Sequence, residues 1–113
     1  MSWYTLNEDK TVTKLPDGEY PKIINFKEPN KHVGYHILNN QRISTVFLHM
    51  DHSLNFGGTT EIHEPVLFET MIFGGPNDDY QRRYHTYDEA LEGHNNIVKA
   101  VREEKDPDFY FND

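Results

Sequence analysis

Two asparagines, Asn39-Asn40, separate the runs HVGYHIL and QRISTVFLHM. Both runs are rich in β-branched and aromatic residues, and asparagine tolerates the left-handed backbone region better than most residues. The pair therefore reads as a two-residue hairpin turn. That makes residues 32–38 and 41–50 adjacent antiparallel strands and obliges the chain to build a sheet around them. Along the second strand, Val46, Leu48 and Met50 share one face, and Thr45, Phe47 and His49 the other. Apolar groups on both faces predict a central strand. PVLFETMIF (65–73) is the next strand, with proline at its first position, where a missing N–H is tolerated. GGPNDD then makes a turn, and YQRRYH returns as a strand with Arg82 and Tyr84 on one side.

The helix follows from its own signals. Thr86-Tyr87-Asp88-Glu89 has capping-box spacing, and the two acids suit the positive end of a helix dipole. Ala90, His94, Ile97, Val98 and Val101 fall on one face. The helix should end near Glu104, before Pro107. An apolar stripe must be buried, and the sheet is the available surface. The expected architecture is thus α+β: an antiparallel sheet of four to five strands with one C-terminal helix packed on one face. One domain should span 1–113, with its core in 31–104 and an acidic aromatic tail in 105–113. The tail is expected to dock on the domain, since exposed aromatic clusters are costly; presenting a motif to a partner is the alternative. Residues 2–6 read as a short strand. Residues 7–30 are turn-rich around Pro16-Asp17-Gly18. KIINF (22–26) fits a short strand or a helical turn. Residues 51–64 form a long connection without periodicity, a kind that is often functional.

The net charge of -8 argues against general binding to a phosphate backbone, which needs clustered Lys and Arg; the tightest basic pair is Arg82-Arg83. With no cysteine, there is neither a disulfide nor a thiolate metal site. No apolar run approaches the length that spans a bilayer, and the start MSWY does not read as a signal peptide. The expected setting is the cytoplasm, with no membrane partner.

RISTVFLHMDHSLNFGG, followed by PVLFETMIFGGPNDDYQRRYHTYDEALEGH, resembles a widespread group of short uncharacterised phage, prophage and bacterial proteins. The group's pattern is an S-T-V-F-L strand ending in Asp-His, a Phe-Gly loop, F-E-T-M-x-F-G-G, R-Y-x-T and E-A-x-x-G-H. The likeness covers residues 41–101 and the opening WYTLNEDKTV. It implies a phage or mobile-element origin, and hence a bacterial host cytoplasm. It singles out Asp51, His52, Glu69, Gly74, Gly75, Gly93 and His94 as motif positions. This chain departs in having His49 where the group usually has glycine, and in a longer connection before Pro65.

Asp51, His52, Glu69 and His94 form the one constellation with metal or acid–base chemistry in reach. No recognised metal spacing accompanies them, and adjacent strand residues point to opposite faces. No cofactor is therefore expected; zinc or another divalent metal would need those four residues. Each has a quieter reading. His94 belongs to the apolar stripe and can bond a backbone carbonyl or Glu69. Glu69 needs a partner, with His94, Arg82 or Arg83 in reach. Asp51 and His52 can cap a strand end. The leading expectation is a non-catalytic phage-encoded accessory, of host-directed inhibitor or anti-defence type. It would bind a host protein or a small nucleotide-like ligand through Asp51, His52, Phe56, Glu69, Arg82, Arg83, Tyr84 and His94. The alternatives are a metal-dependent hydrolase using the Asp/His/Glu/His cluster, and a self-associating structural or virion-assembly accessory.

Overall fold

A computed structural model describes residues 3–16, 18–19, 32–51 and 65–111. The expected KIINF element, His52 and Phe56 lie outside the described residues.

Among the described residues, six strands and one α-helix follow in chain order: β1 (Tyr4–Leu6), β2 (Val12–Lys14), β3 (His32–Leu38), β4 (Gln41–Phe47), β5 (Phe68–Phe73), β6 (Gln81–Tyr84) and α1 (Tyr87–Arg102). β3 to β6 make a four-stranded antiparallel meander in sequence order, and β1 and β2 a separate two-stranded ribbon. The α+β expectation therefore holds, with β4 inside the sheet. No described helix is long and apolar enough to cross a membrane.

The Asn39-Asn40 hairpin has the expected form. Both residues have positive φ, 51° and 60°, and Leu38 pairs with Gln41 across the turn. Asn39 Nδ2 also donates to the Val101 carbonyl at 2.9 Å, which ties the turn to the end of the helix. β4 ends three residues earlier than expected, at Phe47. The cause is His49, whose φ of 60° takes the chain out of extended geometry; Met50 then rejoins through a bridge to Trp3. β2 falls within the stretch expected to be turn-rich. Its signal is short, and its pairing with β1 is stabilised by the Asn7–Lys10 turn.

α1 lies across one face of the meander and buries Ala90, Gly93, His94, Ile97, Val98, Ala100 and Val101. The core divides into two apolar clusters. Ile43 and Ile72 meet Ile97, Val98 and Val101; Phe47, Leu67 and Phe68 meet Tyr84 and Ala90. The tail docks through part of its length, while Phe109 stays exposed. Pro107 is buried, Phe111 packs against both clusters, and Arg82 stacks on Phe111 at 3.4 Å.

Candidate functional site

Between the two apolar clusters runs a row of polar side chains. The strand register aligns Gly34, Thr45, Thr70 and Arg82 across the sheet. Thr45 and Thr70 share the helix-facing parity of Ile43, Phe47, Phe68 and Ile72, and both are fully buried. They bond to each other at 2.5 Å. Thr70 continues to the Tyr84 hydroxyl at 2.9 Å, and Thr45 to His94 Nδ1 at 2.7 Å. His94 Nε2 then meets His36 Nδ1 at 2.8 Å. Five side chains from four strands and the helix thus make one continuous hydrogen-bonded chain.

Glycine makes room for it. A Cβ at Gly34 would come within 2.5 Å of the His94 ring, and one at Gly93 would overlap the Tyr84 ring. Burial, followed by the neighbouring His36, holds His94 down at about 4, so it is neutral at ordinary pH. One proton sense satisfies every group. Tyr84 donates to Thr70, Thr70 to Thr45, Thr45 to Nδ1 of His94, and Nε2–H of His94 to His36. Among the described residues no buried side-chain nitrogen or oxygen lacks a partner. Both threonine hydroxyls are committed and enclosed, which leaves neither as a nucleophile.

Of the four-residue constellation, Asp51, Glu69 and His94 are described, and they are not brought together. Glu69 sits between Phe68 and Thr70, so strand alternation sends it to the sheet face opposite His94. There Arg83, its register partner, donates from Nε at 2.8 Å. His94 thus bonds Thr45 and His36, neither Glu69 nor a backbone carbonyl. Asp51 accepts from the Val66 N–H at 2.8 Å and joins the two ends of the 52–64 connection. Among the described residues no three His, Asp or Glu side chains are grouped to hold a metal ion.

Arg82, Arg83 and Tyr84 line one cleft of about 330 Å³, whose rim carries Glu89 and Glu92. The tail already engages it: Asp108 accepts from Arg82 at 3.1 Å and from the Tyr80 hydroxyl at 2.6 Å. Arg82 is already paired with Asp108 and Arg83 with Glu69, so both guanidinium groups of this cleft are engaged within the chain.

A larger cleft, of about 570 Å³, lies between the β1–β2 ribbon and the start of α1. Tyr4 and Tyr87 supply aromatic walls, Lys10 and Lys14 cationic ones, and His85 stands at the helix start. Lys10 Nζ lies 5.4 Å from the centre of the Tyr87 ring. His85 Nδ1 donates to the Pro65 carbonyl at 3.1 Å, which fixes the ring and leaves Nε2 as an acceptor when the ring is neutral. Asp9 and Asp88 also line it; Asp9 is occupied by the backbone and hydroxyl of Thr11.

Sequence reasoning missed His36, Thr45, Thr70 and the residues of this cleft. A signal existed for the threonines, which are polar residues at inward parity in apolar strands. Linking them needed the register between β4 and β5. No family model, no curated relative and no solved structure matches the chain.

Proposed function

We propose that this chain is a non-catalytic binding protein, a phage-type accessory that captures a small anionic, nucleotide-like ligand in the cleft between the ribbon and α1. The observation that carries this reading is the lining of the cleft. Two tyrosines offer faces for a planar base, and two lysines beside the first turn of a sixteen-residue helix suit phosphate oxygens. The main polar system of the core is closed on itself, which favours holding over turnover. The resemblance to phage proteins supports a host-directed inhibitor or anti-defence role, with sequestration as its mechanism.

Native mass spectrometry of protein purified from its own host, without chelator, tests the proposal. It expects an added organic mass of nucleotide size, lost in a Lys10→Ala/Lys14→Ala variant that melts at the temperature of the wild type stripped of ligand. Ligand-free protein that also gives no heat with a panel of nucleotides would overturn it.

A further inference from the structure

β3 is an edge strand, paired with β4 on one side and with no other described strand. The turn sets which of its backbone groups are left over. A two-residue loop closes on a hydrogen-bonded pair, here Leu38 and Gln41. Alternation then turns the N–H and C=O groups of Leu38 and His36 toward β4, and those of Ile37 and Tyr35 outward. Sheet edges of this kind are normally blunted by lysine, proline, a β-bulge or an inward-pointing charge. HVGYHIL has only a register shift at its His32–Gly34 end, which leaves Gly34 to Leu38 regularly paired, and it carries no Asp, Glu, Lys or Arg in a chain of net charge -8. Its outward-bonding residues are also exposed: Tyr35 is 48% and Ile37 67% accessible.

We propose that β3 pairs antiparallel with β3 of a second copy, about a two-fold axis at His36. Three observations favour a second copy over another occupant. Centring on His36 sets Tyr35 opposite Ile37 of the partner copy twice, so each exposed side chain covers the other on the same face. Both residues of that pair have outward backbone groups, so the ladder continues in register. β3 also has no formal charge, so two strongly acidic chains can meet along it without opposing carboxylates. The other edge is different: beside β6, the tail lays Asp108 on Tyr80 and Arg82. The product is one eight-stranded sheet with a helix from each copy on the same face.

Sedimentation of the full chain over a concentration series, with two kinds of variant, tests this. The wild type should dimerise, and Ile37→Lys should weaken the dimer by about tenfold or more, while both chains melt at the same temperature when diluted below the dimerisation range. Phe73→Lys, on the same face but on β5, should leave the dimer intact. The chain has no cysteine, so cross-linking reads the register directly. A mixture of Tyr35→Cys and Ile37→Cys chains should form the intermolecular disulfide faster than either variant alone. A monomeric wild type, loss of the dimer in Phe73→Lys, or equal cross-linking of the single variants would each overturn the proposal.

Discussion

His49 shows what one backbone angle can impose. Its φ of 60° is costly for any residue with a Cβ. In return, the His49 ring packs edge-on against Phe47 at 4.7 Å, and Nδ1 reaches the Tyr4 carbonyl at 3.3 Å. The two effects oppose each other. His49→Gly should therefore change stability by less than about 1 kcal/mol, whereas β-branched His49→Val should lose about 2 kcal/mol; urea unfolding measures both. The residue string named the histidine but not its backbone angle, because a dihedral angle leaves no trace in residue identity.

His94 yields a prediction with a definite sign. In the fold, burial and His36 hold it at about 4, below its ordinary 6.5. As pH falls, the unfolded chain takes up this proton first, so the unfolded state gains. The contribution is complete above about 6.5, declines toward about 4, and is flat below that. Its full size is on the order of 3 kcal/mol. Unfolding at pH 7.5 and 4.5 should show a smaller loss for His94→Gln than for the wild type. The helical stripe revealed that His94 is inward. Its partners on β3 and β4 follow only from strand pairing.

At the scale of elements, both helix ends were largely legible. Thr86 Oγ1 accepts from the Glu89 N–H at 3.1 Å, as the capping box requires, although the Glu89 carboxylate accepts from the Thr86 hydroxyl instead of reaching its backbone. Thr86→Ala should cost about 1 kcal/mol in denaturant unfolding. The other end closes as a Schellman motif: Lys105 N–H reaches the Ala100 carbonyl and Glu104 N–H that of Val101. Glu104 takes the left-handed position at φ 59°. Glu104→Gly should therefore stabilise by about 0.5–1 kcal/mol, seen as a raised melting temperature. Hairpin and helix were readable because each is specified by neighbours in sequence. β2 was not: three residues carry too little pattern, and its pairing with β1 supplies the rest.

Over the whole molecule, the tail acts as a strap across β6 and the core. Asp108 joins Tyr80 and Arg82, and Phe111 reaches both apolar clusters. Deleting residues 107–113 should lower stability by about 2–3 kcal/mol in denaturant unfolding, mostly through uncovered apolar surface. Docking was expected from composition, because a run of aromatics seeks cover. The ligand cleft was not legible, since its walls come from the ribbon and the helix start, more than seventy residues apart. The measurement that tests the account most directly is an amide NMR titration of the full chain with nucleotides. The account predicts saturable shifts concentrated at Lys10, Thr11, His85, Thr86 and Tyr87. No shifts, or shifts centred on Arg82, Tyr84 and Phe111, would contradict it.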